Sequence, residues 1–174
     1  GAAAAAPVSA SIDGPPRKVV ASILKSVNKK LGADSVTLYD PADPKFSVPY
    51  WIPTGAPDLD SKLGGGLAGG RIIELFSNSE SEGKTSIAAS IARGCQEKGG
   101  LVVWYDSENT VLPEYFKDFG LKVDDIAFMP IQTLEKFFEV VETFSLEMAQ
   151  EAPGTPVLFV LDSVAAAQTV SQEE

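Results

Sequence analysis

Apolar positions along this chain follow two rhythms. Between Arg17 and Leu31, the residues Val20, Ile23, Leu24, Val27 and Leu31 recur every three or four positions. That spacing lines one face of a helix, and Gly32 stands where a C-cap belongs. From residue 71 the rhythm changes to short continuous runs: RIIELF (71–76), LVVWY (101–105), IAFMP (126–130) and VLFVLD (157–162). A run that is apolar at every position suits a strand covered on both faces, as in a parallel sheet. Helical stretches fall between the runs: one after SNSESEGK reaching about Glu97, one from Pro113 to Phe119, and one from Leu134 to Gln150. This alternation predicts an α/β fold, a mostly parallel sheet with helices on both faces. SVTLY (35–39) predicts a further short strand. PADPKFSVPYWIP (41–53) holds too much proline for a central strand, and GGGLAGG (64–70) predicts a flexible turn. The expected organisation is a disordered lead over 1–15, a helix–strand unit over 16–45 and an α/β core over 46–174.

Composition narrows the chemistry more than the fold. Of 174 residues, 44% are apolar and 22% charged, ordinary for a soluble globular protein. There is one cysteine, Cys95, and no histidine. A disulfide within the chain, a Cys/His zinc cluster and a histidine base are therefore excluded, and carboxylates and lysines must carry any reaction. The net charge of −10 argues against a surface that coats nucleic acid generally. Residues 1–60 are balanced, with six basic groups (Arg17, Lys18, Lys25, Lys29, Lys30, Lys45) against six aspartates, so the acidic excess lies after residue 60. GAAAAAPVSA lacks the charged and bulky apolar regions of a signal peptide, and no apolar run reaches the roughly 20 residues that span a bilayer. With a single cysteine, this predicts no membrane partner and a reducing, cytoplasmic setting.

SNSESEGKTS (77–86) carries the main chemical signal. A buried run enters it and an amphipathic helix (Ile87, Ala88, Ile91, Ala92) leaves it, the context of a phosphate-binding P-loop, G-x-x-x-x-G-K-[ST]. Asn78 replaces the first glycine, and asparagine tolerates a left-handed backbone better than most residues. Main-chain N–H groups over Asn78, Ser79, Glu80, Ser81, Glu82, Gly83, Lys84, Thr85 and Ser86 would hold phosphates. Lys84 would reach the β- and γ-phosphates, and the Thr85 hydroxyl would bind Mg²⁺. Glu80 and Glu82 oppose this: a carboxylate about 4 Å from a phosphate charge costs roughly 1 kcal/mol in water and about 4 at an effective dielectric of 20. Side chains pointing outward keep that cost low. The alternative is a plain strand–turn–helix with a chance G-K-T.

Three further residues extend the site. Asp162 ends an apolar strand and would hold the Mg²⁺ shell through water, with Ser163 beside it; the alternative is a turn aspartate. Glu108 follows the second strand, where it could polarise water for attack on the γ-phosphate, or serve only as a solvated loop acid. Tyr115, behind Pro113, could stack on adenine or belong to the core.

Taken in order, these stretches resemble the RecA family of ATP-dependent DNA recombinases, including its phage UvsX-type members. PTGAPDLDSKLGGGLAGGRIIELF (53–76) resembles the family's lead into the P-loop and SESEGKTS (79–86) the loop itself. YDSENTVLPEYF (105–116) resembles its catalytic-glutamate segment, and VLFVLDSVAA (157–166) its Walker B strand. The helix at 17–31 with 35–39 is similar to the family's N-terminal oligomerisation unit, so the likeness covers about residues 17–174. It implies ATP-dependent filament formation on single-stranded DNA followed by strand exchange. It also implies Lys84 and Thr85 as phosphate and Mg²⁺ residues, Asp162 as the Walker B acid, Glu108 as the catalytic carboxylate and Tyr115 as the adenine contact. Asn78 and Glu82 depart from the pattern, and so does Leu112, which stands where RecA itself has an acid near the base. The family's DNA-binding loops and its basic residues that complete a neighbour's site fall beyond Glu174. The resemblance therefore predicts DNA contact through those segments and poor turnover from these residues alone. Other classes stay open: a nucleotide-binding oligomerisation module without useful turnover, or a RecA-like helicase or clock-type ATPase. A small-molecule kinase fits least, since the only arginines are Arg17, Arg71 and Arg93.

Overall fold

The computed structural model describes residues 15–78, 83–108, 111–130, 133–167 and 169. Residues 1–14 of the expected 1–15 lead and the loop residues Ser79, Glu80, Ser81 and Glu82 lie outside them. The chain divides into two compact units between Ser47 and Val48.

In the first unit, helix α1 (Arg17–Leu31) forms where the stripe predicts it and ends at Gly32, whose φ of 111° suits a residue without a Cβ. None of its residues is buried, and Ile23 is 55% exposed. The expected strand at 35–39 is absent. Instead, the Asn28 side chain takes both main-chain groups of Val36: Asn28 Nδ2 donates to Val36 O at 2.8 Å, and Val36 N–H donates to Asn28 Oδ1 at 2.9 Å. One side-chain amide supplies a single rung of pairing, and a strand needs a ladder.

The second unit opens with a small antiparallel pair, β1 (Trp51–Ile52) and β2 (Leu67–Ala68), with helix α2 (Pro57–Leu63) between them. The glycine-rich stretch is thus more ordered than a free turn: Gly64 caps α2 in the left-handed region, and Leu67 pairs with Ile52. RIIELF (71–76) does not form the predicted strand. It has no regular structure, with Ile72 98% and Phe76 85% exposed. Its side chains suit a strand buried on both faces, but among the described residues no neighbouring strand pairs with it.

The main sheet is fully parallel, with order β4–β3–β5. Strand β3 (Leu101–Asp106) is central, and β4 (Ile126–Met129) and β5 (Val157–Asp162) flank it. Period-two alternation on β3 sorts the two faces. Val102 and Trp104 meet Ala89, Ile91, Ala92 and Cys95 of α3 (Lys84–Glu97) and Phe116 of α4 (Pro113–Asp118). Tyr105 turns the other way, onto Met129 and onto Phe137 of α5 (Leu134–Glu151). Helices therefore cover both faces, the α/β architecture that the runs predict, with one fewer strand in the sheet. Helix α3 also sits hard against the segment after β1: a Cβ added to Gly94 would overlap the Pro53 carbonyl oxygen. No helix among the described residues is long and apolar enough to cross a membrane.

Candidate nucleotide site

The candidate residues collect at the C-terminal ends of β3 and β5 and the N-terminus of α3, where a parallel sheet leaves a crevice for ligands. Gly83 enters α3 in the left-handed conformation (φ 79°, ψ 20°), and the space where its Cβ would stand is open. Backbone conformation, not crowding, is what calls for glycine there. The first N–H groups of α3 have no acceptor within the helix and lie at the positive end of its dipole, and its first turn holds no acid.

From that turn the side chains spread in different directions. Thr85 Oγ1 donates to Asp162 Oδ2 at 2.8 Å, joining the helix start to the end of β5. Lys84 Nζ donates to Ser77 Oγ at 2.9 Å, folding back along the chain that enters the loop. Ser86 Oγ and the Tyr115 hydroxyl are hydrogen-bonded at 2.8 Å. Asn78 is exposed, in a bend.

The ends of β3 and β5 are clasped by a polar network. Ser107 N–H donates to Asp162 O at 2.8 Å. Ser107 Oγ donates to Ser163 O at 2.8 Å and accepts from Ser163 N–H at 2.9 Å. Ser163 Oγ then donates to Glu108 Oε1 at 3.1 Å, holding an otherwise exposed carboxylate beside Asp162. Beneath this lies Asp106, 2% exposed, which accepts from Glu108 N–H at 3.1 Å and Val111 N–H at 2.8 Å and so ties both to the end of β3. The structure thus brings Thr85, Asp162, Ser163 and Glu108 together, sets Ser86 with Tyr115, and turns Lys84 toward Ser77. Sequence reasoning missed Ser77, Asp106 and Ser107. The available signal was an aspartate ending a buried run (Asp106), since a buried carboxylate must be hydrogen-bonded.

Among the described residues no three of His, Cys, Asp and Glu converge as a ready-made metal cage. One hydroxyl and one carboxylate, Thr85 and Asp162, fit Mg²⁺, which keeps waters and takes its remaining oxygens from phosphates. Cys95 plays no part: burial pushes its thiol up to about 11, so it stays protonated at neutral pH.

Comparison with known proteins places the chain in a family. The model of the RecA N-terminal domain family matches residues 18–173. This chain belongs to the RecA family. It is 35% identical to Protein RecA of Campylobacter lari over 151 residues, covering 86% of this chain and 41% of that protein. It is 37% identical to Protein RecA of Clostridium beijerinckii over 150 residues, covering 86% and 39%. Against Protein RecA of Thermus thermophilus it is 35% identical over 151 residues, covering 86% and 42%. The chain thus spans about two fifths of the length of these relatives. Every candidate residue from Asn78 to Asp162 falls inside the RecA match.

Proposed function

We propose that this chain binds Mg·ATP at the N-terminus of α3 and forms the nucleotide site of an ATP-dependent DNA recombinase. The Thr85–Asp162 hydrogen bond carries this reading: it pairs the hydroxyl and the carboxylate that Mg²⁺ needs, at the mouth of a left-handed glycine turn. In the proposed site the main chain from Asn78 to Ser86 holds the phosphates and Lys84 swings from Ser77 to meet their charge. Thr85 and Asp162 hold the metal side, and Tyr115 supports the base. Mg²⁺, if held by Thr85 and Asp162, would supply positive charge against that of the phosphates. Glu108, oriented by Ser163 Oγ, accepts a hydrogen bond from the attacking water and polarises it. Single-stranded DNA would be the recombinase's polymer partner, in the cytoplasm.

Phosphate release, followed with and without single-stranded DNA, tests the reading. Glu108→Gln should keep ATP affinity while losing turnover by roughly 10²–10⁴, the usual worth of a positioned base. Unchanged turnover in Glu108→Gln would remove Glu108 from the mechanism. Nucleotide binding without turnover in either protein would favour a binding and assembly module instead.

Self-association is proposed through residues 16–45. Supporting this, α1 carries Arg17, Lys18, Lys25, Lys29 and Lys30 beside an exposed apolar stripe. Helix α5 carries the exposed acids Glu142, Glu147 and Glu151, and among the described residues β4 is paired on one side only. Deleting residues 1–45 should lower the mass seen by light scattering and leave the circular dichroism of a folded core. A truncated chain that unfolds with its association state unchanged would show that α1 serves its own domain.

A further inference from the structure

The first turn of α3 divides its two hydroxyls between two tasks. Consecutive residues of a helix point about 100° apart. Thr85 faces β5, where Asp162 accepts its proton at 2.8 Å. Ser86 faces α4, where its Oγ meets the Tyr115 hydroxyl at 2.8 Å, across 29 positions of sequence. We propose that Ser86 is a positioning residue for the base end of the site: its hydroxyl holds the Tyr115 ring in place and does not itself bind phosphate or metal. This rests on the nucleotide reading above and deepens it.

The surroundings of Tyr115 explain why a hydroxyl tether matters. The residue lies on the first turn of α4, a helix of six residues whose N-cap Leu112 makes no side-chain cap bond and is 65% exposed. So short a helix is marginal without tertiary support. The Tyr115 ring is half-buried, tilted at 43° against Phe119 with centroids 5.0 Å apart, and edge-on to Phe116 at 6.3 Å. These apolar contacts hold the body of the ring, and Ser86 holds its far end. A ring fixed at both ends loses little freedom when a base stacks on it, and such preorganisation is gained as affinity. The same bond ties the base platform to the helix that presents Lys84 and Thr85, so both ends of a nucleotide are read from one rigid turn.

The test separates base from phosphate. Calorimetry would measure Mg·ATP and Mg·tripolyphosphate binding to the full chain, to Ser86→Ala, Ser86→Thr and Tyr115→Phe, and to the Ser86→Ala/Tyr115→Phe double variant. Ser86→Ala and Tyr115→Phe should each weaken ATP about two- to tenfold, the factor one net hydrogen bond is worth. Tripolyphosphate binding should stay unchanged in both. The double variant should lose no more than either single change, because both remove the same bond, and Ser86→Thr should restore ATP affinity. Equal losses for ATP and tripolyphosphate in Ser86→Ala would place the hydroxyl on the phosphates and overturn the proposal. So would unchanged ATP affinity. Lys84→Ala is the separate control, since it should weaken both ligands. If the unmodified chain binds neither ligand, the nucleotide reading falls and this proposal falls with it.

Discussion

Replacing Lys84 by alanine should lower affinity for Mg·ATP by roughly ten- to a hundredfold and leave the fold intact. A hydrogen bond to a charged partner contributes about 1.5–3 kcal/mol, and each 1.4 kcal/mol is a factor of ten. In this structure the Lys84 ammonium has a neutral neighbour, the Ser77 hydroxyl at 2.9 Å. Moving to a phosphate exchanges that bond for one to a charged group. Stability should move the other way from affinity. Lys84 is the first residue of α3, so its positive charge sits at the positive end of the helix dipole, a placement that costs about 0.3–1 kcal/mol. Alanine removes that cost and favours the helix. Titration with a fluorescent ATP analogue, beside thermal melts without nucleotide, reads both effects. Equal affinity in the two proteins would sink the site, and a lower melting temperature would show that Lys84 serves the fold.

Trp104→Ala should produce the largest loss of stability, about 3–5 kcal/mol, the usual cost of emptying a large aromatic site in a core. Trp104 is fully buried at the middle of the central strand, with Phe128 and Val160 as its neighbours across the sheet. Its ring stands edge-on to Phe116 at 4.8 Å and belongs to the cluster formed by α3 and α4. The backbone of β3 is hydrogen-bonded on both sides, so the cavity cannot close by strand movement. For a chain of this size 1 kcal/mol shifts the melting temperature by roughly 2–4 °C, so a drop on the order of 6–20 °C is expected. Because α3 carries Thr85 and α4 carries Tyr115, nucleotide binding should weaken together with the fold. Trp104→Phe keeps an aromatic edge and should lose clearly less. A melting temperature within 2 °C of the unmodified protein in Trp104→Ala would mean that the sheet face collapses around the gap.

Local pattern was enough for much of this molecule. The stripe of α1, the amphipathic start of α3 and the apolar runs of β3, β4 and β5 are read correctly because helix periodicity and two-sided burial are written in neighbouring residues. The motif residues are equally local. Gly83, Lys84 and Thr85 adjoin in sequence, and Asp162 and Glu108 follow strands whose runs mark where they end. The failures share one cause. SVTLY and RIIELF have the composition of strands, but a strand exists only with a partner. Composition does not say that Asn28 occupies Val36, or that 71–76 is left without a described neighbour.

The sequence by itself determined the α/β class, the positions of four helices and three strands of the sheet, and the residue types available for chemistry: lysine, carboxylates and hydroxyls, with no histidine. Tertiary structure alone decided which of those groups meet. Thr85 reaches Asp162 across 77 positions, Ser107 grips Ser163 across 56, and Ser86 finds Tyr115 across 29. Each pairing depends on β3 lying parallel to β5 in register, with Asp106 opposite Asp162, and on α3 and α4 packing over the same face of that sheet. A hydrogen bond needs atoms within about 3 Å, and only the closed fold brings residues so far apart in the chain to that distance.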